Sequence, residues 1–303
     1  MAHSTRDIAA LQIRRPRGIL AVPRGSLAWL GVLPFFLYTT LFLLLPALWL
    51  TTDAFRSPAG GYTLSYIREL FQSQYENAFI TSIRISLVTA LAGGIFGLFV
   101  AYAALQEDVP RWVRPLLTTY SGVAANFAGV PLAFAFVATL GGAGLVTQFL
   151  ARFGLDIYAH GFSLYTFTGL SIAYIYFQLP LMILIIIPSL EGIKREWREA
   201  ATNLGATPTQ FWRHVGLPIL FPSLLGAMVL LFGNAFSAYA TPYALTSGSV
   251  NLVPILIGNV QSGEVIADPN LGDALALGTI VIIAVSVVIY ALLQRRSDKW
   301  LRP

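Results

Sequence analysis

Residues 164–218 read LYTFTGLSIAYIYFQLPLMILIIIPSLEGIKREWREAATNLGATPTQFWRHVGLP, and the character of the chain changes at Glu191. Before that residue no side chain in the stretch is charged, and the run exceeds the about 20 apolar residues a helix needs to cross a ~30 Å hydrocarbon layer. From Glu191 to Pro218 charges alternate with aromatic and small residues, and the loop reads as folded. Arg195–Leu204 suits a helix, with Trp197, Ala201 and Leu204 at i, i+4 and i+7 forming one apolar stripe. Gly205 stands where a left-handed cap ends such a helix. Thr207, Pro208 and Gln210 then supply an N-cap, a first helical residue and a capping-box partner for a second short helix with Phe211, Trp212 and Val215. Two short helices joined by a tight turn, with a span on either side, make a rigid knob able to transmit force.

The rest of the chain repeats the apolar half of this pattern. With 56% hydrophobic and 11% charged residues and a mean hydropathy of +0.70, it carries more apolar surface than a water-soluble core can hide. Six stretches are long enough to span a bilayer, near residues 27–51, 78–105, 116–140, 164–190, 219–245 and 272–293, and none alternates as barrel strands do. The expected fold class is all-α: an integral membrane protein of six transmembrane helices, one domain over 27–303 behind a basic tail at 1–26. Pro34, Pro46, Pro131 and Pro180 fall inside spans, either as kinks around a cavity or as ordinary membrane proline usage. In the second span Ala90, Gly93, Gly94 and Gly97 put small residues at helical spacing, where a neighbouring backbone can approach.

The formal net charge of +5 reports orientation rather than a nucleic-acid partner. Arg6, Arg14, Arg15, Arg17 and Arg24 lie in the tail, Arg111 and Arg114 in the 106–115 loop, and four cations each in the 191–218 loop and the C-terminus. The intervening loops hold only Arg56, Arg68 and Arg152. This positive-inside bias puts both termini and the two cationic loops in the cytoplasm. Cysteine is absent, which removes disulfides and thiolate metal sites. Leu27–Leu50 is too long for a signal peptide and lacks a small-residue cleavage site, so it reads as a retained first helix.

Glu199-Ala200-Ala201, three residues, Gly205, nine residues and Val215-Gly216-Leu217-Pro218 resemble the EAA signature of binding-protein-dependent (type I) ABC importer permeases. Val215 stands where that family often has Ile. The likeness runs from about residue 78 to 295. It implies a five-helix core with an accessory first helix in the bacterial inner (plasma) membrane. It also implies a coupling-helix loop, in which Glu199, Ala200, Ala201, Leu204, Gly205 and Pro218 belong to the contact with a cytoplasmic ATPase dimer. A second permease subunit, either a paralogue or another copy, and a solute-binding protein complete the implied partners. ATP and Mg would sit on the ATPase, and no cofactor on this chain. The only lysines, Lys194 and Lys299, lack a P-loop context, which agrees with a separate ATPase polypeptide.

Asn126, Gln178, Asn234 and Tyr239 are the polar groups near mid-span, and each is either a candidate for the translocation path or an interhelical hydrogen bond. Arg84, near the outer end of its span, either snorkels or pairs with Glu76. The break at Thr241-Pro242-Tyr243 is a candidate outer gate. Val253–Val260 is similar to the corresponding loop of polyamine-type permeases, which points to polyamines or related small solutes. Glu264, Asp268 and Asp273 in that outer region suit a cationic solute but follow equally from the positive-inside bias. A membrane-embedded enzyme would need acid–base or metal groups at one depth, and an ion-driven carrier would often keep a carboxylate near the midplane. His3, His160 and His214 lie apart and outside the spans, and no Asp or Glu falls mid-span.

Overall fold

The computed structural model describes residues 28–57, 60–262 and 268–301. The basic tail at 1–26, Glu264 and Arg302 lie outside them. The chain divides into two units, Met1–Trp49 and Leu50–Pro303. In the first, helix α1 (Ala28–Thr39) passes through a π turn at Thr40–Leu44 into α2 (Leu45–Asp53). From Leu30 to Trp49 no side chain is buried, as expected of a helix whose apolar surface faces lipid.

The second unit is a helical bundle. Short α3 (Ser65–Glu69) precedes α4 (Ser73–Ala104), followed by α5 (Val113–Asn126), α6 (Val130–Leu140), α7 (Leu145–Arg152) and α8 (Phe167–Glu191). The loop holds α9 (Arg195–Asn203) and α10 (Pro208–Phe211), and a π turn at Trp212–Gly216 leads into α11 (Leu217–Phe236). Then come α12 (Ala240–Thr246), α13 (Val253–Ser262) and α14 (Pro269–Leu301). Among the described residues, six helical stretches are long and apolar enough to cross a membrane.

The centre is the seam where α4 meets α8 and α11, and it is built on missing Cβ atoms. A Cβ on Gly93 would stand 2.6 Å from Gln178 Cβ, and one on Gly97 would stand 2.8 Å from the Leu179 carbonyl. Gly94 admits the Met228 side chain of α11 in the same way. The small-residue face anticipated in the second span is thus the contact that lets three helices close on one another. Around it Met182, Ile183, Ile186, Leu220 and Leu231 form one buried cluster, while Ile85, Leu170, Tyr174, Leu245 and Leu252 form another nearer the other end.

Two spans differ from their sequence outlines. The third, expected as one helix over 116–140, is α5 and α6 with a break at Phe127–Gly129. Gly129 has φ 74°, and Pro131 has no N–H to offer the carbonyl of Phe127. The fifth, expected over 219–245, starts earlier and stops earlier. The helix is nearly continuous from Pro208 through the π turn to Phe236, so the second helix of the expected knob is instead the foot of this span. It ends at Ser237, whose hydroxyl bonds back to the Gly233 carbonyl, and Pro242 has no N–H with which to carry the ladder past Ala238.

Candidate functional site

The loop between α8 and α11 takes the local structure its sequence dictates. α9 closes in a Schellman motif: Ala206 N–H donates to the Ala201 carbonyl and Gly205 N–H to the Thr202 carbonyl, with Gly205 at φ 79°. At the next helix start Thr207 Oγ1 accepts from Gln210 N–H, and the Gln210 side chain accepts from Thr207 N–H at 2.8 Å. Closed at its C-terminal end, α9 nevertheless buries none of its residues. Glu199, Ala200, Leu204 and Gly205 are exposed, Ala201 is half-buried, and Leu204 keeps 88% of its surface open. Of the stripe expected from Trp197, Ala201 and Leu204, Leu204 is open to its surroundings, while Trp197 and Ala201 are partly covered. Pro218 is separate from this group, half-buried in the first turn of α11.

Arg195 ties the exposed helix to its surroundings. Its Nε donates to Glu199 at 2.7 Å, and its guanidinium lies 3.2 Å from Glu107 in the α4–α5 loop. The Glu199 hydrogen bond, and then the Glu107 charge, push the Arg195 pKa upward. A further ion pair joins Arg114 of α5 to Glu191 at the end of α8. Such exposed pairs contribute little stability, so their effect is to orient the helix.

A second site lies where the two broken spans meet. Gly129 N–H donates to Thr241 Oγ1 at 2.7 Å, joining the break before α6 to the start of α12 across 112 residues. Beside this bond is a cavity of about 260 Å³ whose walls include Ala128, Phe177, Asn234, Ser237 and Tyr239, with no charged side chain among them. Tyr239 stacks on Tyr243 with ring centroids 5.3 Å apart, and its ring fills the space beside Gly258 of α13, where a Cβ would come within 2.7 Å. No local pattern signals this long-range bond, although Gly129 just before Val130-Pro131 marks the break.

Of the four mid-span polar residues, two line this cavity, Asn234 and Tyr239. Asn126 is exposed at the end of α5 and donates to the Gly122 carbonyl of its own helix. Gln178 is fully buried away from the cavity and donates to the Leu231 carbonyl at 3.0 Å, joining α8 to α11. Arg84 is exposed, and among the described residues it forms no ion pair with Glu76. The two are eight residues apart, about 12 Å along a helix.

With this geometry in hand, known proteins supply a frame. Residues 93–303 match the family model described as "Binding-protein-dependent transport system inner membrane component". The "Probable sulfate transport system permease protein cysT" of Nephroselmis olivacea is 25% identical over 230 residues, 74% of this chain and 76% of that protein. The "Trehalose transport system permease protein SugB" of Mycobacterium tuberculosis is 26% identical over 264 residues, covering 84% and 88%. A bacterial alginate ABC transporter, solved in complex with an alginate pentasaccharide-bound periplasmic protein, has a chain that shares the fold. Its TM-score is 0.71 at 20% identity, over 89% of this chain and 94% of that one.

Proposed function

This chain belongs to the family of binding-protein-dependent transport system inner membrane components, and on that premise we propose that α9 is the helix through which a separate ATPase drives it. It is a transport subunit of an ABC importer and not an enzyme. The observation that carries the reading is that α9, closed at its C-terminus by the Schellman turn, buries nothing and leaves Leu204 88% open. An ordered helix with an unused apolar stripe is built for another protein's groove. Ala200, Ala201 and Gly205 permit close approach, and Glu199 exchanges Arg195 for a cation on the ATPase when the helix is seated. Both termini lie in the cytoplasm by the positive-inside bias, and ATP and Mg are held by the ATPase dimer. This chain and a second permease subunit enclose the path between them, and a solute-binding protein delivers the solute.

The cavity at the two breaks is the part of that path this chain supplies. Its cargo is a small oxyanion of the sulfate class rather than a polyamine. Relatives named for sulfate transport support this, and so does the lining, which offers hydroxyl and amide groups and no carboxylate to receive a polycation. Two experiments test the reading. Glu199→Lys, co-expressed with the partner ATPase, is expected to lose the ATPase on purification while the permease still elutes as wild type; unchanged co-purification sinks the coupling role. In proteoliposomes with the solute-binding protein, labelled sulfate is expected to accumulate and Tyr239→Ala to reduce its uptake. Uptake of trehalose or putrescine in its place overturns the oxyanion assignment.

A further inference from the structure

Behind α9, on the side that faces the bundle, lies a cavity of about 410 Å³ whose walls carry Arg114, Lys194, Arg195 and Arg198 against two carboxylates, Glu107 and Glu191. Those carboxylates are already engaged, Glu191 by Arg114 and Glu107 by Arg195. Lys194 and Arg198 have no carboxylate partner among the described residues. Each instead lies 5.9 Å from an aromatic ring, Lys194 from Trp197 and Arg198 from Phe211. Among the described residues, the cavity therefore holds two positive charges without a paired carboxylate.

It does not end at the charged walls. Tyr102, Leu190 and Trp212 are shared with a neighbouring groove of about 280 Å³, completed by Leu98, Phe99, Leu217 and Leu220 and almost wholly apolar. The π turn at Trp212–Gly216 sets up this junction. It brings the Trp212 ring against Gly216, where a Cβ would clash at 2.5 Å, and edge-on to Tyr102 at 5.1 Å between centroids. Leu98 and Phe99 lie in the last two turns of α4 and Leu217 in the first turn of α11. The apolar groove thus opens at membrane depth and the cationic cavity at the membrane surface.

We propose that this continuous site binds one acidic phospholipid of the cytoplasmic leaflet, its phosphate between Lys194 and Arg198 and an acyl chain along Leu98, Phe99, Leu217 and Leu220. Charge complementarity and the shared wall select this occupant. A free phosphate would use only the cationic part, a neutral lipid or an apolar molecule only the groove, and an anionic amphiphile uses both. The inference rests on the cytoplasmic placement of the loop proposed above. Seated there, the lipid fills the space under α9 and braces the coupling helix against α4 and α11, so that the bilayer's acidic lipid sets how firmly the ATPase grips the spans.

The test reads lipid retention without ATP or an ATPase, so its failure leaves the importer reading intact. The full-length chain in mild detergent is incubated with equal amounts of phosphatidylglycerol and phosphatidylcholine of the same acyl chains, repurified, and its bound lipid measured by mass spectrometry. Phosphatidylglycerol is expected to be enriched roughly thirtyfold, at about 1 kcal/mol for each of two uncompensated cations. The pair Lys194→Gln and Arg198→Gln is expected to abolish the preference, and Lys194→Arg with Arg198→Lys to keep it. Leu98→Trp, which fills the groove and leaves the charges alone, is expected to lose bound lipid of either kind. Equal retention of the two lipids by the wild type, or enrichment that survives either the neutralising pair or Leu98→Trp, overturns the proposal. Complete displacement by low-millimolar inorganic phosphate also overturns it, because the site would then hold a soluble anion.

Discussion

The loop between α8 and α11 and the cavity at the helix breaks both interrupt the regular hydrogen-bond ladder of the bundle, and they do so by opposite means. The loop repairs its own ends: every cap partner of α9 and α10 lies within five residues, and the product is an exposed, charged helix. The breaks repair each other through one hydroxyl, Thr241, reaching a glycine 112 residues away. A locally closed helix moves as a body when pulled, whereas two breaks tied through one side chain, Thr241, whose hydroxyl accepts from the Gly129 N–H at 2.7 Å and donates to the Gly129 carbonyl at 3.4 Å, form a joint. The pairing suits an importer in which force enters at the loop and opens the path at the breaks. The rigid seam of α4, α8 and α11 lies between them, since α8 and α11 flank the loop and α11 ends at the joint.

The largest expected effect comes from breaking that seam. Gly93→Leu would drive a side chain into the backbone of α8 at Gln178 and Leu179, and overpacking of this kind costs ~3 kcal/mol or more where the obstacle is backbone. Both regions hang from these helices, so the variant is expected to lose the monodisperse peak on size-exclusion chromatography together with all ATPase binding. Gly122→Leu, where no atom stands within 4 Å of the added carbon, is the control and is expected to leave the peak unchanged.

A middle-sized effect is expected at the joint. Thr241→Val keeps the shape of the buried side chain but leaves the Gly129 N–H without its acceptor, a loss of about 1–3 kcal/mol. Thermal stability should fall by a few degrees and solute uptake should fall with it, while the ATPase still co-purifies. Thr241→Ser should restore both. If Thr241→Val instead releases the ATPase, the joint and the knob are one cooperative unit and the contrast between them fails.

The unequal legibility of the two regions follows from the same difference. Thr207, Pro208, Gln210 and Gly205 act on neighbours a few residues away, so their types and spacing were enough to place the caps and the turn. The glycine face of α4 was legible because helical periodicity alone puts Gly93 and Gly97 on one side. The break at Gly129 was missed because Val130–Leu140 is as apolar as an unbroken span, and only a hydroxyl far along the chain stabilises the interruption. Gln178 and Asn234 are both amides near mid-span. Which one meets a cavity and which one ties two helices depends on helix rotation that composition does not encode. The fifth span began earlier than its apolar core because Trp212–Gly216, polar and aromatic in sequence, continues the helix as a π turn.

The smallest expected effect probes whether the knob is as self-contained as its hydrogen bonds suggest. Thr207→Ala removes the hydroxyl that accepts from Gln210 N–H, and loss of such a cap costs about 1 kcal/mol. Pro208 still presets the first helical residue and Phe211 remains buried against the bundle, so the helix below it should persist. Amide hydrogen exchange is expected to rise about fivefold over residues 207–212, the equivalent of that energy, with no change at 127–131 or in thermal stability. Thr207→Asp, which can accept the same bond, should return exchange to the wild-type rate. Faster exchange at the Gly129 joint in Thr207→Ala would show that strain at the loop reaches the path without any ATPase present, and the two regions would then have to be treated as one device.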